Sequence, residues 1–278
     1  MGKPMKLPDE IPLFDDHLPF LNQFILGLVE EFKAGNIKSW DKLEQRVKMF
    51  FTPEMTDRVG SIVPDWHKMA SYADGTTLVH VMCAFMGLYM MPEFLDMTKE
   101  HQQVMKWIIL FHDIEKELEQ GKRDYLHAFR SAVNAAKTLP FVGFPITPEY
   151  ETIIGGWSDF TISARTTAGN PSMEVQDNRK LPEILDGIER MFGHNTPAAL
   201  IVKTILFHLS VDMNDWPPPN PLTEEEVIRY FDRELILPLK VMHLADGDGW
   251  SMFKPEVKKH QRMDTIEVFY KIDLLLAQ

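Results

Sequence analysis

The chain has 278 residues, 45% of them apolar and 25% charged, an ordinary globular composition that is long enough to bury a sizeable core. Its 29 Lys and Arg stand against 41 Asp and Glu, and the resulting net charge of −12 argues against a long polyanion, so no nucleic-acid partner is expected. A single cysteine, Cys83, excludes an internal disulfide, the opening MGKPMKLPDE lacks a signal-peptide core, and no apolar stretch reaches the roughly 20 residues of a bilayer span, so a cytoplasmic protein without membrane segments is expected.

Apolar residues recur at helical spacing through most of the chain, while period-2 alternation is almost absent, which predicts an all-α, multi-helix bundle. Residues 17–34 and 39–51 read as the first helices, within an N-terminal helical extension over 1–73 that packs on a helical domain over 74–278. In that domain helices are predicted over 75–91, 98–120, 124–138, 148–156, 180–192, 197–212, 223–248 and 256–276. Thr223 with Glu226 fits a capping box, and Thr147-Pro148 and Thr196-Pro197 each place a cap residue before a proline suited to the first helical position. Residues 157–178 have the polar, Gly/Pro character of a long loop, and the prolines of 214–221 exclude a helix there.

Chemistry is suggested where ligand-type residues interrupt apolar runs. His80 lies in TLVHVMCAFMGLYMM, His112-Asp113 end WIILFHD, His208 lies in LIVKTILFHLSVD, and Asp246 closes PLKVMHLAD. A buried imidazole or carboxylate must be hydrogen-bonded, paired or coordinated, because leaving it bare costs several kcal/mol. Four helices carrying such groups suggest one shared interior site. Divalent metal satisfies imidazole and carboxylate together, and helix bundles commonly aim such ligands inward. Adjacent helical residues point about 100° apart, so His112 and Asp113 could serve one ion, or Asp113 could bridge two.

This order resembles the HD superfamily of metal-dependent phosphohydrolases: a His on one helix, a His-Asp dyad on a later one, and a distant Asp on a late helix. Here it reads His80, His112-Asp113 and Asp246, with FHDIEK similar to the family's HDxxK pattern and LADGDGW similar to its late AD segment. The resemblance spans roughly 75 to 250. It implies a metal set of His80, His112, Asp113 and Asp246, with His127 and His208 where members with two metals supply further histidines. Glu115 departs from the pattern, standing where many members have glycine, and adds a negative charge near the site.

The resemblance implies one or two divalent ions per chain, with Mn, Fe, Co, Ni, Zn and Mg not distinguished. The expected activity is hydrolysis of a small, nucleotide-like phosphoester through metal-activated water, with Asp113 and Lys116 as catalytic groups. Lys116 is also a candidate for substrate phosphate, or simply for a solvent-reaching or paired lysine. Arg130 and Arg165 are candidate anion contacts, Arg165 from the loop that would close over the site. Asp248 and His243 compete with Asp246 for the late ligand position. A second reading is a di-iron HD-type oxygenase cleaving a small organic substrate, and a third is a non-catalytic helical sensor or binding module.

Overall fold

The computed structural model describes residues 11–70, 76–117, 124–157, 175–215 and 217–278. Among these there are helices and turns and no strand, so the fold is all-α. The first five helices are α1 (Phe14–His17), α2 (Pro19–Lys33), α3 (Trp40–Phe50), α4 (Pro53–Gly60) and α5 (Trp66–Ala70). They are followed by α6 (Thr76–Met90), α7 (Pro92–Leu95), α8 (Lys99–Phe111), α9 (His127–Thr138) and α10 (Tyr150–Ile154). The last five are α11 (Leu181–Phe192), α12 (Pro197–Phe207), α13 (Glu224–Tyr230), α14 (Arg233–Ser251) and α15 (Pro255–Leu275). No helix among the described residues is long and apolar enough to cross a membrane.

α6 lies at the centre because it is apolar all round: every residue from Thr77 to Tyr89 is buried, which only a helix covered on all sides permits. α2, α3, α5, α8 and α14 pack against it. The α6/α14 approach is close at two glycines. A Cβ on Gly87 would lie 2.6 Å from Asp248 Cβ, and one on Gly249 would lie 2.7 Å from His80 Cε1, so any larger residue at either point would separate the helices.

Helix starts follow local chemistry. Thr223 and Glu226 form the reciprocal capping box, and Thr196 caps α12 by accepting from the Ala199 amide. Thr147 does not cap its helix. Its hydroxyl accepts from the Glu149 amide and donates to the Arg190 carbonyl, and α10 begins only at Tyr150.

Several predicted helices are shorter than expected, the one over 197–212 ending at Phe207 among them, and two depart further. The one over 98–120 ends at Phe111, because the next amides leave the helical ladder: Glu115 N–H donates to Ser131 Oγ at 3.2 Å and Glu117 N–H to Asp124 at 2.8 Å. The one over 223–248 is two helices, divided where Asp232 turns to accept from the Glu234 and Leu235 amides and so starts α14.

Candidate metal centre

Six side chains converge from α6, the α8 C-terminus, α9, the α12 C-terminus and α14: His80, His112, Asp113, His127, His208 and Asp246. They form two groups, each able to hold a metal ion: His80, His112 and Asp246 in one, Asp113, His127 and His208 in the other. All but Asp246 are buried. Asp113 spans both groups. Its Oδ2 lies 3.6 Å from His80 Nε2 and 3.7 Å from His112 Nε2, while its Oδ1 lies 2.9 Å from His127 Nε2 and 4.0 Å from His208 Nε2. Asp246 Oδ1 closes the first group, 2.8 Å from His80 Nε2 and 3.7 Å from His112 Nε2.

Metal–nitrogen bonds of about 2.1 Å place neighbouring ligand atoms roughly 3.0 to 3.4 Å apart, so these separations fit two shared centres with modest adjustment. The tautomers fit as well. Nδ1 of His112 faces the Ile109 carbonyl at 2.8 Å, Nδ1 of His208 faces the Ile205 carbonyl at 2.7 Å, and Nδ1 of His127 faces the Asp124 carbonyl. A carbonyl only accepts, so each Nδ1 carries the proton, and each Nε2 of a neutral ring turns a lone pair inward. His127 Nε2 and His208 Nε2 are 3.1 Å apart, two acceptors that need a cation between them. His112 Nε2 and both nitrogens of His80 are sealed from solvent without a hydrogen bond. Buried, unsatisfied imidazole nitrogens aimed at carboxylate oxygens are the donor set that a divalent ion completes.

Electrostatics favour the ligating protonation states of Asp113, Asp246, His80 and His208, and work the other way at His112. Burial opposes charge on Asp113 and Asp246, but Lys116 beside the former and His112 and His80 beside the latter hold both carboxyls well below the usual range. Burial, then His127 and His112, push His208 well below an ordinary imidazole, and burial lowers His80. Burial also works against charging His112, yet the neighbouring Asp113 and Asp246 outweigh it and raise that ring.

A cavity of about 550 Å³ opens beside Asp113, His127, His208 and Asp246. Lys116 stands in its wall with Nζ 2.7 Å from Asp113 Oδ2 and 5.3 Å from the Trp250 ring centre, and its ammonium form is reinforced, against burial, by Asp113 and Asp246. No family model, curated protein or solved structure matches this chain.

Arg130 does not line that cavity. Its guanidinium bonds Asp124 and, at 3.2 Å, the Glu115 carbonyl, so it tethers the segments that carry Asp113 and His127. Arg165 and most of the 157–178 loop lie outside the described residues. The extra charge of Glu115 is answered by Asn134 Nδ2 at 2.8 Å and Lys68 Nζ at 3.3 Å. Of the competitors for the late position, Asp248 turns away to Lys258 and Arg262, at 2.9 and 3.2 Å, and His243 reaches the cavity wall but not the ligand cluster.

Two supporting residues escaped the sequence reading. Trp250 stacks on His80 with ring centres 4.1 Å apart at 17°, and Asp124 accepts from the Glu117 and Leu126 amides while its carbonyl orients His127. The quoted LADGDGW contains Trp250, but only the α6/α14 contact reveals what its ring covers.

Proposed function

We propose that this protein is a metal-dependent phosphohydrolase acting on a small phosphoester, with two divalent ions held by His80, His112 and Asp246 on one side, His127 and His208 on the other, and Asp113 between them. The observation that carries this reading is Lys116, an ammonium fixed against the bridging carboxylate and facing the cavity. Divalent ions at such a site would lower the pKa of bound water and offset charge on a phosphoryl group. The chain's own part is to position and to exclude. Asp113 directs one oxygen to each histidine pair, the Ile109, Asp124 and Ile205 carbonyls fix the ring tautomers, and Lys116 offers a point charge to a phosphoryl oxygen entering the cavity. Trp250 covers the outer face of His80.

The resemblance to HD phosphohydrolases is consistent with this arrangement. An oxygenase using two irons is a second reading, favoured by a donor set of four histidines and two aspartates that suits iron. Phosphate release from a panel of small phosphomonoesters and diesters, by protein reconstituted separately with manganese, cobalt, zinc and iron, tests the proposal. Metal-dependent release that disappears in Asp113→Asn is the expected result. Oxygen consumption by the iron form, with no phosphate released under any metal, would overturn it.

A further inference from the structure

α15 is apolar on two opposite sides. Asp264, Thr265, Val268, Phe269 and Ile272 are buried against the body of the protein, as a surface helix requires. Yet Met263, Ile266, Tyr270 and Leu274 are exposed, at 60%, 43%, 61% and 50% of their surface. At about 100° per residue these four fall within an arc of roughly 80°, diametrically opposite the buried face. α13, which packs against α15, also leaves Ile228 exposed, at 51%. Scattered exposed side chains need no explanation, but a continuous apolar stripe along one helix marks a contact surface.

The charges on the same line identify the occupant. Lys259, Met263, Ile266, Tyr270 and Asp273 follow one another at the alternating spacing of four and three that defines a helix-pairing seam. Lys259 and Asp273 are both exposed, and neither forms an ion pair among the described residues. Two copies of α15 laid antiparallel about a two-fold axis would set Ile266 against Tyr270 of the second copy. Asp273 would then fall within one turn of Lys259 of the second copy, at both ends of the contact. A parallel pair would instead oppose like charges at each end.

We infer that α15 is a self-association surface, pairing antiparallel with α15 of a second copy of this chain through Met263, Ile266, Tyr270 and Leu274. This inference does not depend on the proposed hydrolysis. It does bear on the site, because Gln261, Asp264 and Thr265, on the opposite side of α15, line the cavity. Four apolar side chains from each copy make a small contact, so association is expected in the micromolar range.

Sedimentation of the full-length, metal-loaded protein from roughly 1 to roughly 200 µM spans that range. The expected result is a mass rising with concentration from one chain toward two, with Ile266→Glu remaining at one chain throughout. Lys259→Glu should weaken the association about threefold, and adding Asp273→Lys to it should restore the original strength. A wild-type mass of one chain at every concentration would overturn the inference, as would a dimer indifferent to Ile266→Glu. A double charge reversal weaker than the single one would exclude the antiparallel arrangement even if Ile266→Glu failed to fold.

Discussion

His127 and His208 present their Nε2 atoms to each other across 3.1 Å, while the Nδ1 of each ring is already committed to the carbonyl three residues before it. Two neutral rings in that pose repel, and one cation between them removes the conflict. Replacing His208 by Ala should therefore leave the His80/His112/Asp246 group able to bind but empty the other. Elemental analysis of the reconstituted variant should give about one ion per chain against two in the wild type.

Asp113 touches both groups, so its loss should not be confined to one. Asp113→Asn keeps the size but replaces one of the two carboxylate oxygens by an amide NH2, removes the negative charge, and leaves Lys116 without its anionic partner at 2.7 Å. Phosphoester turnover should fall by at least about a hundredfold, and steady-state kinetics at saturating metal would measure it.

On the proposed function Lys116 serves substrate rather than metal. Lys116→Met should leave metal stoichiometry near wild type while lowering kcat/KM about tenfold to a hundredfold, the value of a hydrogen bond to a charged group. Metal analysis and kinetics on the same preparation separate the two effects.

Gly249 sets where His80 stands. A Cβ there would meet His80 Cε1 at 2.7 Å, His80 Nδ1 at 2.9 Å and Ala84 Cβ at 3.2 Å, and the fully buried ring has no room to retreat. Gly249→Ala should cost about 1–3 kcal/mol of stability through this overpacking and weaken metal binding at the His80 group. Denaturant midpoints and a metal titration would register the two losses.

His243 should make the protein acid-sensitive. Burial lowers its ring from 6.5 to about 4, and its Nε2 has no hydrogen bond. Between those values the unfolded chain binds the proton and the folded chain does not, so this contribution is intact above pH 6.5 and is lost as pH falls toward 4. The full loss is roughly 3 kcal/mol by linkage, reduced by whatever solvent reaches the ring from the cavity. Stability of His243→Phe measured against wild type at pH 7 and pH 4.5 should show the variant losing less on acidification.

Five of the six clustered side chains, His80, His112, Asp113, His208 and Asp246, are legible in the sequence because they interrupt or close apolar runs, and a buried polar group has to be satisfied, whereas His127 follows a polar stretch and is reached only through the family resemblance. The all-α class is legible from the helical spacing of apolar residues in the amphipathic helices, while α6, buried all round, contributes an apolar run rather than a period. What failed was local. The amides after His112 found partners on Ser131 and Asp124, which no reading of 98–120 alone reveals. α4, absent from the expected helices, begins with Thr52-Pro53, the same pairing as Thr196-Pro197, and Thr52 accepts from the Met55 amide. At Thr147-Pro148 the same pairing makes only a turn, with the threonine hydroxyl accepting from the Glu149 amide and donating to the Arg190 carbonyl, and the helix begins at Tyr150. The Gly249 and Trp250 contacts with His80 arise from helix crossing and have no signal in spacing.

Paramagnetic resonance of the protein titrated with manganese reports on whether two ions sit on either side of Asp113. Two ions per chain with the spectrum of an exchange-coupled pair are expected, replaced by a single-ion signal in His208→Ala. A wild-type protein that binds one magnetically isolated manganese, or none, would contradict the bridged pair.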